Sequence, residues 1–179
     1  MQLAPGVPVL HDHHGITGDW LSAALGRPGL AVHDVAAIGT GQMSDSYRVR
    51  FAGRDAAAET VVVKLASADD TSRATGVGLG SYLREVSFYQ QLGARLAPAS
   101  PACWGAGYDA ATGHFTLVLA DIADAHQGDQ IEGCGLDDAR AALAAHARLQ
   151  AHVVGDAELA TAEWLVGNPV DPVLLGLIL

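Results

Sequence analysis

The stretch that decides the fold is Thr60-Val61-Val62-Val63-Lys64-Leu65-Ala66. Its run of β-branched residues predicts a strand over 60–66. Because successive side chains on a strand point to opposite faces, Val62, Lys64 and Ala66 should share one face. Lys64 is the only lysine beside nine arginines. A lysine at the end of an apolar strand can project its compact ammonium into a tight phosphate site.

The residues before this strand predict two further strands. One covers Val32–Ile38, and in the other Tyr47, Val49 and Phe51 alternate with arginines. The turns Gly39-Thr40-Gly41 and Gly53-Arg54-Asp55 separate the three strands. This order predicts an antiparallel meander with short hairpins.

The residues after the strand predict a loop, a helix, two strands, a polar connector and a long second helix. The predicted bounds are Ser67–Gly80, Tyr82–Leu96, Ala102–Tyr108, His114–Ala120, Asp121–Gly135 and about 137–153. The first helix rests on Leu83, Val86, Tyr89, Leu92 and Leu96, which recur at three- and four-residue steps. We therefore predict an α+β lobe, a five-stranded antiparallel sheet covered on one face by one main helix.

Residues 1–30 predict irregular structure with one short helix. That helix covers Asp19–Leu25 and is capped by Thr17 or Asp19. His11, His13 and His14 lie near each other in the chain, but no later partner completes a metal site. A mobile N-terminal patch is the favoured interpretation, and zinc is not expected.

Four features occur in an order that suggests phosphate binding. The glycine turn from Gly39 to Ser44 lets backbone N–H groups approach phosphate oxygens. Lys64 follows on the next strand but one, and Glu85 lies on the helix after it, where its carboxylate can hold the ammonium. The apolar strand Leu117–Ile122 then leads into the connector and could offer backbone groups to a purine edge. Each feature is weak alone, whereas the order is typical of the phosphate-binding lobe of the protein-kinase fold.

The sequence resembles the aminoglycoside phosphotransferase and choline-kinase-like family. The stretches that carry the resemblance are Gly41-Gln42-Met43-Ser44-Asp45-Ser46-Tyr47-Arg48-Val49, Val61-Val62-Val63-Lys64-Leu65, Leu83-Arg84-Glu85-Val86-Ser87-Phe88-Tyr89, Phe115-Thr116-Leu117-Val118-Leu119-Ala120-Asp121-Ile122 and Gly128-Asp129-Gln130. They extend over about 32–165.

The resemblance implies ATP with Mg²⁺ as cofactors, and transfer of the γ-phosphate to a hydroxyl of a small-molecule acceptor. It divides the chain into an N-terminal extension (1–31), a protein-kinase-like N-terminal lobe that binds nucleotide (32–124), and a connector with the incomplete beginning of a helical C-terminal lobe (125–179). The implied cofactor-binding residues are Gly39, Gly41, Ser44, Lys64, Glu85, Ala120, Asp121 and Ile122. The first three would cover the phosphates, Lys64 held by Glu85 would reach the α- and β-phosphates, and the last three would form the adenine hinge.

The sequence departs from the family most at the catalytic loop. The family's His-Gly-Asp followed at five residues by Asn, and its later metal-binding Asp, do not occur in the 179 residues. His126-Gln127-Gly128-Asp129 imitates the loop, but Cys134 stands at the Asn position and the stretch follows the hinge too closely. Ala120 also stands where relatives often have Glu. We therefore expect a fragment that is inactive alone, with no catalytic residue or Mg²⁺ ligand of its own.

Composition narrows the partners and the compartment. The net charge of −10 disfavours nucleic acid as a partner. The N-terminus lacks the basic and apolar regions of a signal peptide, and the longest apolar run, Pro172–Leu179, is far shorter than the about 20 residues of a membrane helix. Cys103 and Cys134 fit free thiols in a reducing compartment. We expect a cytoplasmic protein that can self-associate through its apolar C-terminal run.

Two alternatives to the kinase fragment remain open. One is a non-catalytic module that binds nucleotide or docks on a partner, and the other is the product of a disrupted gene. The acceptor stays undetermined, because in this fold the second lobe builds most of its site.

Overall fold

The computed structural model describes residues 6–39, 41–96, 100–125, 128–129 and 131–165. The strands are β1 (Ala31–Ile38), β2 (Ser44–Ala52), β3 (Glu59–Ala66), β4 (Cys103–Asp109) and β5 (His114–Ala120). The helices are α1 (Gly18–Leu25), α2 (Asp70–Gly78), α3 (Ser81–Gln91), α4 (Leu136–Ala151) and α5 (Ala157–Ala160), and a short 3-10 turn at His13–Gly15 precedes α1. The predicted α+β class and five antiparallel strands are confirmed.

The five strands form one antiparallel sheet in the order β1-β2-β3-β5-β4. The deciding stretch, now β3, lies at the centre between β2 and β5. Its Lys64 is opposite Ser46 of β2 and Leu117 of β5, and Val62 is opposite Arg48 and Leu119. The predicted alternation therefore places Lys64 and Val62 on the same face of the sheet.

Apolar clusters cover both faces of the sheet, not one face as the sequence predicted. On the face that carries Lys64, α3 packs Tyr82, Val86 and Tyr89 against the sheet residues Phe115 and Leu117. On the opposite face a second cluster brings together residues of the N-terminal segment, of α1 and of the sheet, namely Val7, Ile16, Leu21, Ala24, Leu30, Val49, Phe51, Val61, Val63, Leu65 and Val118.

The second cluster overturns the expectation of a mobile N-terminal patch. Residues 7–16, here called the N-terminal strap, lie against the sheet, where Val7 is buried and the Leu10 N–H donates to the buried Thr116 hydroxyl at 2.9 Å. Two glycines of β4 make room for the strap, because a Cβ on Gly107 would lie 2.4 Å from the Val7 carbonyl oxygen. The short helix predicted behind the strap is present, and Thr17 caps it by accepting from the Trp20 N–H at 3.2 Å.

Helix α2 is the second correction, since Ser67–Gly80 was expected to be a loop. The Asp69 side chain caps α2 by accepting from the Ser72 N–H at 2.8 Å. Gly76 and Gly78 have low helix propensity, which hid the helix in the sequence. Gly76 is needed for packing, because a Cβ there would lie 2.4 Å from the Tyr82 ring.

The main helix α3 ends at Gln91, five residues before the predicted end. The Gly93 N–H donates to the Phe88 carbonyl at 2.8 Å, five residues back, so the regular α-helical pattern ends and turns continue to Leu96. Leu83 was expected in the core but is 44% exposed, while Tyr82 beside it is buried.

Among their described residues, the connector and the last helices have no buried side chain, and Trp164 and Asp156 contact α3 and the residues after it. α4 begins at Leu136, as predicted within a residue, and none of its residues is buried. An ion pair of 2.5 Å between Arg95 and Asp156 ties the start of α5 to the residues after α3. Within the described ranges, no helix combines the length and apolar character of a membrane span. The apolar run Pro172–Leu179 lies outside the described residues.

Candidate functional site

The Lys64–Glu85 ion pair is the centre of the candidate site. The Lys64 Nζ donates to Glu85 Oε1 at 2.7 Å and to Oε2 at 2.8 Å. Strand β3 fixes Lys64, while Tyr82, Val86 and Tyr89 anchor α3 on the sheet and so fix Glu85. The two side chains are 25% and 31% exposed, so solvent and a ligand can reach the ammonium. The sequence-predicted pairing is therefore present in the structure.

The glycine turn lies at the end of β2 on the same side of the molecule. Gly39 has φ of 73°, which favours glycine, and a Cβ on Gly41 would lie 2.3 Å from the Ser44 carbonyl oxygen. Thr40, between them, lies outside the described residues. Ser44 is two residues from Ser46, the partner of Lys64, so its side chain shares the face that carries the ammonium.

Tyr82 connects the glycine turn to α3. Its hydroxyl donates to the Met43 carbonyl, and its ring stacks on Phe115 with a centroid distance of 4.5 Å. Burial raises the pKa of the Tyr82 hydroxyl, which keeps it a donor. The turn, the lysine strand and the glutamate helix thus form one connected unit around Lys64.

The three predicted hinge residues have different surroundings. The Ala120 N–H already donates to the Ala102 carbonyl at 2.8 Å, so it belongs to the sheet rather than to a ligand site. Ile122 is 58% exposed, and its carbonyl accepts from the Ala125 N–H at 3.1 Å. Only the Asp121 side chain points into a defined polar contact.

Asp121 is bound by Arg48, a residue that the sequence argument did not select. The carboxylate accepts from Arg48 Nε at 2.7 Å and from Nη2 at 3.0 Å. The Arg48 hydrogen bonds hold the pKa of Asp121 below its ordinary value, burial opposes them, and a bond from the Thr60 hydroxyl supports them. The sequence alone could not identify Arg48, because its position opposite Val62 follows only from the strand register.

The imitation of a catalytic loop falls in the connector between β5 and α4. His126 and Gln127 lie outside the described residues. The Asp129 carboxylate accepts from the Ile131 and Glu132 N–H groups at 2.7 and 3.1 Å, and these bonds lower its pKa. Asp129 thus shapes a turn of the connector. Across the part of the chain that is described, no group of three or more His, Cys, Asp or Glu side chains is placed to hold a metal ion.

Comparison with known proteins leaves the family open: no family model, curated protein or solved structure matches the chain.

Proposed function

We propose that this chain carries the nucleotide-binding part of an ATP- and Mg²⁺-dependent phosphotransferase that acts on a hydroxyl of a cytoplasmic small molecule. The observation that carries the proposal is the Lys64–Glu85 pair at 2.7 Å, whose side chains are 25% and 31% exposed on the face that also holds the glycine turn. A lysine held by a carboxylate is a fixed cation, and phosphoryl transfer depends mainly on positioning and on neutralising phosphate charge.

The surrounding geometry supports a nucleotide more than a simple anion. Gly39, Gly41 and Ser44 lie toward one end of the face, and Lys64 lies beside them. Asp121 lies at the opposite end, beyond Val62. A triphosphate at the glycine end would direct its base toward Asp121 and Ile122. Mg²⁺ would reach the site with the nucleotide, because the described residues offer no carboxylate cluster for it.

Calorimetric titration with MgATP tests the proposal. We expect Lys64→Ala to weaken binding at least about tenfold, because a hydrogen bond to a charged group contributes about 1.5–3 kcal/mol. Arg54→Ala is the matched control, since it removes one exposed cation from the turn between β2 and β3. A folded wild-type chain that gives no MgATP binding would overturn the proposal, as would equal affinities of the two variants.

A non-catalytic binding module is the second candidate. The observation that favours it is the exposed apolar surface of α4, where Leu136 and Leu143 are 75% and 69% exposed. Such a surface suits docking on a partner or on a further lobe. DNA beyond codon 179 that encodes His-Gly-Asp-x-x-x-x-Asn would favour the phosphotransferase, and its absence would favour the module.

A further inference from the structure

The Arg48–Asp121 ion pair crosses the sheet beside the candidate site. Arg48 belongs to β2 and Asp121 directly follows β5, so the contact spans the central strand β3. The Asp121 side chain is only 4% exposed, whereas that of Arg48 is 42% exposed. The carboxylate is therefore enclosed, and the guanidinium faces outward.

Arg48 and Lys64 share one face of the sheet. Ser46 is opposite Lys64 and Arg48 is opposite Val62, and alternate residues of a strand point to the same side. The Ser46–Lys64 pair and the Arg48–Val62 pair are two residues apart, which is about 7 Å along a strand. A nucleotide whose phosphates meet Lys64 and whose base extends toward Asp121 would therefore cross Val62 and reach Arg48.

The bidentate contact leaves the flat surface of the guanidinium free of hydrogen bonds. Arg48 uses Nε and Nη2, two donors on one edge of the planar group, to bind the two Asp121 oxygens. Hydrogen bonds of a guanidinium lie in its plane, so its faces stay available for stacking on an aromatic ring. Because Asp121 already fixes the side chain, stacking would cost little additional rotamer entropy.

We propose that Arg48 is the platform on which the purine base of the nucleotide stacks, with Asp121 as the residue that positions it. This inference rests on the proposed function and adds a base-binding residue to it. Stacking on a cation does not depend on the hydrogen-bonding edge of the base, so ATP and GTP should use the platform equally.

The test compares ligands that share phosphates and differ in the base. Calorimetry is run with MgATP, MgGTP and magnesium tripolyphosphate on the wild type, Arg48→Met and the control Arg54→Met. We expect Arg48→Met to weaken both nucleotides about 5- to 30-fold, the range for a stacked cation. Tripolyphosphate should lose less affinity than either nucleotide, since its phosphate contacts are retained and only the loss of one positive charge weakens it.

A second variant guards against misfolding. Arg48→Met alone leaves the enclosed Asp121 charge without its partner, whereas Arg48→Met with Asp121→Leu removes both charges. The double variant should show the same selective loss for nucleotides. Asp121→Asn keeps Arg48 but weakens its anchor, and should lose nucleotide affinity by a smaller factor.

The remaining outcomes separate this inference from the proposed function. Unchanged nucleotide affinity in Arg48→Met, or an equal loss for tripolyphosphate, would overturn the platform while leaving the phosphate site intact. A wild type that binds none of the three would overturn the proposed function itself.

Discussion

At the scale of single residues, the hydrogen bond of the Tyr82 hydroxyl is expected to stabilise the glycine turn. Tyr82 is buried and donates to the Met43 carbonyl while its ring stacks on Phe115. Tyr82→Phe keeps the ring and removes only the donor. We expect the free energy of unfolding to fall by about 0.5–1.5 kcal/mol, the usual net value of one hydrogen bond. Urea denaturation measures it.

The control for Tyr82→Phe is Tyr108→Phe. Tyr108 lies on β4, and the described residues offer its hydroxyl no hydrogen-bond partner. Its loss should change stability by less than about 0.5 kcal/mol, as for most substitutions away from specific contacts. Equal effects of the two variants would show that the Met43 contact contributes nothing to stability.

His114 makes the stability of the chain depend on pH. Its ring stacks on His11 at 4.4 Å, and its buried Nδ1 has no hydrogen-bond partner among the described residues. Burial lowers the pKa of His114 most, and the His11 and Arg73 charges lower it further, while a hydrogen bond with the Thr112 backbone and the Asp109 charge partly oppose them. Below pH 6.5, the ordinary pKa of histidine, His114 is therefore protonated to a greater extent in the unfolded chain than in the folded chain.

Stability should therefore be complete above about pH 6.5 and fall as the pH drops below that value. His114→Phe keeps a ring for the stack and cannot titrate. We expect thermal unfolding at pH 5.5 and 7.5 to show a larger loss for the wild type than for His114→Phe. Carboxylates such as Asp109 and Asp121 have lowered pKa values, so they reduce stability only as the pH falls toward 3.8, below this pH interval. Parallel losses would contradict the assignment to His114.

At the scale of elements, the N-terminal strap depends on glycines of another strand. A Cβ on Gly107 would lie 2.4 Å from the Val7 carbonyl oxygen, a contact that forces the strap to move. We expect Gly107→Ala to lower the free energy of unfolding by about 1–3 kcal/mol, the usual cost of overpacking. In a background with Trp104→Phe and Trp164→Phe, denaturation followed by Trp20 fluorescence reports the strap, because the Trp20 Nε1–H donates to the Pro8 carbonyl at 3.0 Å.

Gly128→Ala is the matched control for the strap. A Cβ at Gly128 meets no atom within 4 Å. It should leave both stability and fluorescence unchanged. If Gly107→Ala behaved in the same way, the strap would not be held against β4.

These elements also show what the sequence could and could not predict. The strands were placed within three residues because β-branched runs and alternation are local signals. The strap was missed because its evidence is Gly105 and Gly107, about a hundred residues away, which only the folded sheet brings to Val7. Helix α2 was missed because its glycines oppose helix formation locally, and its packing on Tyr82 outweighs that preference.

The sequence likewise predicted one part of the candidate site and missed another. Lys64 and Glu85 were predicted to pair because a strand followed by a helix suggests it, and the 2.7 Å contact confirms the pairing. Arg48 was not selected, because its contact with Asp121 depends on the order and register of β2, β3 and β5, which no local pattern specifies.

At the scale of the whole molecule, the sheet and the last helices differ in how firmly they are held. Strands β3 and β5 are central and largely buried, whereas α4 has no buried residue. An apolar cavity of about 540 Å³ separates the end of α3 from α4 and α5, lined among others by Leu92, Leu149 and Leu159. Packing between these helices is therefore incomplete.

We expect amide hydrogen exchange to divide the chain accordingly. A helix of this length is marginal without tertiary packing, so α4 should open locally while β3 and β5 exchange only through global unfolding. Protection in α4 should be lower by at least about a hundredfold, which corresponds to about 2.7 kcal/mol. Mass spectrometry of peptides from α4 and β5 in one sample makes the comparison internal. Equal protection in the two would contradict it.

Two leucine substitutions measure how much packing in the sheet and on α4 contributes to the free energy of unfolding. Leu117 is completely buried under α3, and Leu143 on α4 is 69% exposed. Leu117→Ala should cost about 2–5 kcal/mol, because it removes packed methyl groups and leaves a cavity. Leu143→Ala should cost less than about 0.5 kcal/mol, since little contact is lost and alanine is the better helix former. A large loss on Leu143→Ala, measured by urea denaturation at dilute and high protein concentration, would mean that this face of α4 is covered in solution. Its concentration dependence would then decide whether a second copy of the chain covers it.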